Sequence, residues 1–239
     1  MAHGVAGAVD LARFAPRAPA ARARVRAGLG LDAAAPLFGV VARIQRHRRF
    51  DLVLDAAAAL RALAPGARIA ILGRGTHAEA LVDAPVRARG LGDVVVRLGR
   101  RDADYPDVLA ALDALLFLVP GSDGGCRAVL EAAACGVPVV ASRRGALPEL
   151  VAAGGAAAGV CVDEGADAIA RALASVACAG DAAARERARS AVRAHAERAF
   201  APARLARDLE ALYEAARARR AGAPAQTDSC SACSETSSL

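Results

Sequence analysis

The sequence predicts an α/β fold: a Rossmann-like, doubly wound parallel sheet of about six strands with helices on both faces, followed by C-terminal helices. Three observations carry this. From Leu37 to about Cys178, short apolar runs alternate with longer runs of helical period, the signature of βαβ units. Over 239 residues, an apolar content of 55% is ample for a buried core. Beyond Cys178 the pattern is helical alone.

In chain order the expected strands are Leu37–Ala42, Ala67–Leu72, Val94–Leu98, Ala114–Val119, Val137–Ala141 and Gly159–Val162. Between them the periodicity predicts helices near Asp51–Ala64, Thr76–Arg89, Tyr105–Leu112, Asp123–Cys135 and Pro148–Ala152. Right-handed crossovers then place helices on both faces. Three further helices, Ala166–Ala179, Asp181–Ala199 and Pro202–Arg220, complete the domain. Its expected limits are 37–222, with a connector-like segment at 1–36 and a disordered tail at 223–239, where Ser, Thr and Cys replace Ala and Arg. No internal repeat of solenoid period is visible.

Composition excludes several classes of function. The formal charge is +6, but the arginines are dispersed among 25 acids and aromatics make up only 3%, which argues against nucleic acid. No apolar run approaches the twenty or so residues needed to span a bilayer, and Met1 is not followed by a signal-peptide core, so the expected location is the cytoplasm. Arginine-rich faces also suit anionic lipid headgroups, hence a peripheral place at the inner membrane. Cys126, Cys135, Cys161 and Cys178 fall in apolar segments and read as core filling. Cys230 and Cys233 form a C-x-x-C without a partner pair, so no metal site is expected and an unfolded tail accounts for them.

The most informative stretch is PGSDGGCRAVLEAAACGVPVVAS, residues 120–142. At one hundred degrees per residue, a helix from Asp123 would carry Asp123, Arg127 and Glu131 as one polar stripe. Gly124 and Gly125 in its first turn would leave backbone N–H groups open to a phosphate at the positive end of the helix dipole. A plain ladder of ion pairs at i,i+4 spacing is the competing account of the stripe. Five basic or potentially basic residues, Arg43, Arg46, His47, Arg48 and Arg49, occupy the loop after the first strand, where sheets of this kind gather ligands. A diphosphate is their natural partner, and a solvated loop with an arginine pairing Asp51 is the alternative. Gly73-Arg74-Gly75 reads as a tight turn, since one G-x-G without its third glycine is a weak dinucleotide signal.

On these residues the chain resembles the retaining glycosyltransferases of the GT-B fold, in the large family that includes bacterial lipopolysaccharide and capsule mannosyl- and glucosyltransferases. Residues 120–142 are similar to the family's P-S-x-x-E-G-F-G-x-x-x-L-E-A-x-A-x-G-x-P-V-V-A-S, with Asp123 replacing the first Glu and Gly125-Cys126-Arg127 replacing Phe-Gly-x. VDLARFAP, ARIQRHRRFDLVLDA, ILGRG and SRRGALPELV add matches in the same order. In the second of these, Arg43 matches the first basic residue of the family's R-L-x-x-x-K-G, Arg48 stands where the family has lysine and Arg49 replaces the glycine.

The resemblance implies transfer of a sugar from a nucleoside diphosphate sugar to an acceptor hydroxyl with retention. The donor is a substrate, and no cofactor or metal is implied. Arg43 and Arg48 would stabilise the leaving diphosphate, Asp123 would hold sugar hydroxyls and Glu131 would accept from the ribose. Gly124 and Gly125 would offer amides, with Arg127 beside them. Gly73 and Gly75 would lie near the nucleotide, and Arg97 and Leu98 would stand where the family's backbone meets the base. Pro148-Glu149 matches a family P-E pair, as helix-start chemistry or as a ligand contact. The segment 5–19 resembles the connector before the family's second domain, which implies a donor-binding half. Its acceptor-holding N-terminal domain is expected in cis or in trans, with a glycan or lipid-linked acceptor. Two other readings remain, a binding module without transfer activity and a sugar-nucleotide epimerase. A Rossmann oxidoreductase fits least, because the glycine fingerprint is incomplete.

Overall fold

The computed structural model describes residues 7–120, 125–152 and 158–222. Six strands form one parallel sheet: β1 (Leu37–Val41), β2 (Arg68–Leu72), β3 (Val95–Gly99), β4 (Ala114–Phe117), β5 (Val139–Ser142) and β6 (Gly159–Val162). Their order is β3-β2-β1-β4-β5-β6, so the chain winds outward in one direction from β1 and then in the other from β4. The Rossmann-like fold read from the sequence is therefore present, with each strand within two residues of its expected start.

Alternate residues of each strand enter opposite cores, as the pleat dictates. Leu37, Ala70, Leu115, Phe117, Val139 and Ala141 pack on one face, and Phe38, Ile69, Ile71, Leu116 and Val140 on the other. The first face is covered by α1 (Pro19–Gly28), α4 (Tyr105–Ala110), α5 (Arg127–Ala134), α6 (Leu147–Ala152) and α8 (Ala182–Ala199). The second is covered by α2 (Phe50–Leu63), α3 (Ala84–Ala88) and α7 (Ala166–Ala177). A further helix, α9 (Pro202–Gly222), follows. Among the described residues no helix is long and apolar enough to cross a membrane.

Several elements depart from the sequence reading. Residues 76–89 do not form one α-helix: Glu79–Asp83 is a π-helical stretch that passes into the short α3. Pro85 accounts for this, because it lacks an N–H and its ring would meet the carbonyl of Leu81 in a tighter turn. Within the connector-like segment lies α1, which the apolar pattern did not announce. Its anchor is a charged residue, Arg26, only 7% exposed, which donates to the carbonyls of Ala111, Ala33 and Ala35 and pairs with Asp113 at 3.0 Å. Two more arginines serve neighbouring carbonyls. Arg189 donates to Ala110 O at the end of α4 and to Leu112 O just past it, and Arg193 reaches Ala134 at the end of α5, where the helix dipole favours a cation. Of the four cysteines read as core filling, Cys178 is exposed and Cys161 half-buried. Cys230 and Cys233 lie outside the described residues.

Among the described residues, two other than glycine adopt the left-handed conformation, Arg49 (φ 55°) and Cys126 (φ 42°), each just before a helix. Both stand where the family pattern has glycine, and a side chain there costs about 1–2 kcal/mol. Arg49 recovers part of this through ion pairs with Asp51 and Glu164, weak at a surface. Arg49→Gly is therefore expected to stabilise the fold, by about 0.5 kcal/mol after the greater chain entropy of glycine is counted. Urea denaturation of the two proteins measures it, and a lower midpoint for the variant contradicts the account.

Candidate functional site

Where the winding reverses, between β1 and β4, the carboxyl ends of the strands part and leave a cavity of about 1120 Å³. One wall is the loop after β1, with Arg43 and Arg48; another is the start of α5, with Cys126, Arg127, Ala128 and Glu131. The floor is main chain. Past the end of the β1–β2 ladder the two segments remain paired, Ala42 N–H donating to Leu72 O and Ile44 N–H to Arg74 O, both at 3.1 Å. Gly73-Arg74-Gly75 is thus extended, not the tight turn expected from sequence. Its glycines serve close approach: a Cβ on Gly73 (φ 156°) would fall 1.9 Å from Ala42 O, and one on Gly75 would fall 2.1 Å from Ile44 O.

The walls are strongly cationic. Arg43, Arg48, Arg74, Arg100, Arg101 and Arg127 all line the cavity. Arg100 is engaged by Asp102 and Arg101 by Asp104. Arg43, Arg48, Arg74 and Arg127 make no ion pair among the described residues. Arg48 is the most fixed of these four: its Nη1 donates to Val119 O at 2.7 Å, while its buried Nε has no partner.

Glu131 is the one carboxylate lining the cavity among the described residues, and it is 9% exposed. It accepts a hydrogen bond at Oε2 from the Tyr105 hydroxyl at 2.8 Å. Burial pushes its pKa up, against the opposing effects of the Tyr105 hydrogen bond and of the Arg127 and Arg13 charges. Burial also raises the pKa of the Tyr105 hydroxyl, with the Glu131 charge acting in the same direction. In this pair the neutral phenol is the donor and the Glu131 carboxyl the acceptor.

The profile of the family described as Glycosyl transferases group 1 matches residues 21–194. The chain belongs to that family. This group 1 chain is 33% identical over 165 residues to the lipopolysaccharide core biosynthesis mannosyltransferase LpsB of Rhizobium meliloti, a match covering 67% of the chain and 44% of the relative. The chain thus spans less than half the length of that relative. Among solved structures, Anabaena HepE in complex with UDP and glucose superposes with a TM-score of 0.71 at 23% identity, over 87% of this chain and 55% of that one. The C-terminal domain of the group 1 protein LpcC from Francisella tularensis gives 0.67 at 20% identity, over 81% and 99% respectively. At these identities the structural likeness speaks for the fold.

In the group 1 chain the residues singled out by sequence are only partly brought together. Arg43, Arg48, Gly73, Gly75, Arg127 and Glu131 share the cavity. Asp123 and Gly124 lie outside the described residues. The helix predicted from Asp123 begins at Arg127 instead, so Gly125 precedes it and does not sit in its first turn. The reason is local, since Cys126 in the left-handed region turns the chain at the helix entrance. No ion pair joins Arg127 to Glu131 among the described residues, so that part of the ladder is absent. Arg97 projects to the opposite side of the sheet, pairs with Asp83 at 2.7 Å and lines a separate cavity of about 380 Å³. Leu98 packs partly buried on the first core. Pro148 and Glu149 lie in the first turn of α6, with Glu149 exposed.

Sequence reasoning passed over Arg74, Arg100, Arg101 and Tyr105. Arg100-Arg101 carried a usable signal, because it directly follows the third strand at the ligand-facing edge. Tyr105 carried none, since its partner is 26 residues away.

Proposed function

We propose that this chain binds the nucleoside diphosphate sugar donor of a retaining sugar transfer, with the acceptor hydroxyl presented by parts of the enzyme beyond these residues. The carrying observation is the cavity at the reversal of the sheet, where four arginines without ion pairs among the described residues stand around one bound carboxylate. Membership of the glycosyl transferase family and the UDP held by HepE support the same reading. Guanidinium groups offset the charge that grows on a departing diphosphate, each charge-assisted contact contributing about 1.5–3 kcal/mol. The start of α5, facing the cavity, adds the positive end of a helix. Glu131 would take the ribose hydroxyls, and the main-chain floor would meet the base. Asp123, one short segment before α5, is assigned to the sugar hydroxyls.

Titration calorimetry with UDP, GDP and ADP is the first test. Binding of at least one, weakening with added salt, is the expected result. Failure of all three to bind defeats the reading. Incubation of a labelled sugar nucleotide with candidate acceptors, together with the remaining part of the enzyme, then asks for transfer, and the anomeric configuration of the product decides retention. A lipopolysaccharide-type acceptor is the first to try, given the relative in Rhizobium meliloti.

A further inference from the structure

Tyr105 is one of two tyrosines in the chain and opens α4 beneath the cavity. Its ring meets Phe14 edge-on, with centroids 5.9 Å apart and planes at 77°. This contact fixes the ring, and the ring fixes where its hydroxyl ends: 2.8 Å from Glu131 Oε2. The other carboxylate oxygen, Oε1, has no hydrogen-bond partner among the described residues, and Glu131 lines the cavity.

We propose that Tyr105 is a positioning residue for the donor's ribose: it occupies Oε2 of Glu131 and so leaves Oε1 aimed at the cavity to accept from a sugar hydroxyl of the nucleotide. The proposal rests on the donor reading above. A carboxylate held at one oxygen is already ordered when the ligand arrives, so less freedom is lost on binding. The same hydrogen bond also favours the ionised carboxylate, against the burial that pushes its pKa up. Besides Tyr105 on α4, the charged groups acting on Glu131 are Arg127 on its own helix and Arg13 from the N-terminal segment. Cys135, just past the end of α5, is a buried thiol pushed up to about 12, and stays neutral.

Tyr105→Phe keeps the ring and its packing on Phe14. Calorimetry of the full chain with UDP, GDP or ADP, whichever binds, and with the 2′,3′-dideoxy form of the same nucleotide separates the roles. The variant is expected to lose about fivefold in affinity for the ribonucleotide and nothing for the dideoxy form. Affinity for the ribonucleotide should decline as pH falls and Glu131 takes a proton, and in the variant the decline should begin at higher pH. Without ligand, the Glu131 carboxyl carbon followed by NMR should likewise titrate at higher pH in the variant. Equal losses for both nucleotides, or an unmoved Glu131 titration, overturn the proposal and leave Tyr105 as a core aromatic. A chain that binds no nucleoside diphosphate overturns the donor reading and this one with it; intact binding indifferent to Tyr105 overturns this one alone.

Discussion

Arg48→Ala is expected to lower affinity for a nucleoside diphosphate by about 30-fold, the equivalent of one strong charge-assisted hydrogen bond. Arg43→Ala should do less, because Arg43 is exposed whereas Arg48 is already fixed by its bond to Val119 O. A guanidinium that is ordered beforehand gives up little entropy when a phosphate arrives. The substitution also strips Val119 of a donor, so a thermal melt must accompany the titration. A small stability loss with a large affinity loss is the expected pattern. Arg48→Lys retains the charge without the forked geometry and should recover only part of the affinity. Unchanged binding in both variants means that the diphosphate rests elsewhere.

Arg26→Met should destabilise the fold by about 3 kcal/mol, although no apolar contact is removed. Three carbonyls lose their donor and Asp113 loses its cation, while Asp113 still accepts from Leu37 N–H at the head of β1. The methionine refills most of the volume but satisfies none of these groups. For a chain of this size the melting temperature should fall by roughly 6–12 °C. A shift within a degree would show that α1 merely rests on the domain.

The four central strands were legible because burial on both faces leaves an apolar run that length and spacing identify. Helix entrances were less so. GGCRAVLE by itself does not announce the turn at Cys126, and only the glycine that the family pattern carries at this position points to a left-handed residue. The apolar pattern missed α1 because its buried anchor is an arginine, a residue counted as polar. Arg97 was open to a correction from periodicity. Val95 packs on the second core and Val96 on the first, so the next side chain must return to the side of Asp83, away from the cavity. The main-chain loops of the site were read from motif resemblance, whereas the Tyr105–Glu131 contact joins two helices and has no local signature.

Gly73 and Gly75 bring two peptide segments so close that nothing larger than hydrogen fits between them. Whatever docks above that platform therefore meets amides and carbonyls, which are the same for every amino acid. Drift in sequence cannot readily alter such a surface, while the arginines around it can be exchanged one at a time. Substitution of a bordering arginine would thus change the charge at the rim and leave the bed untouched.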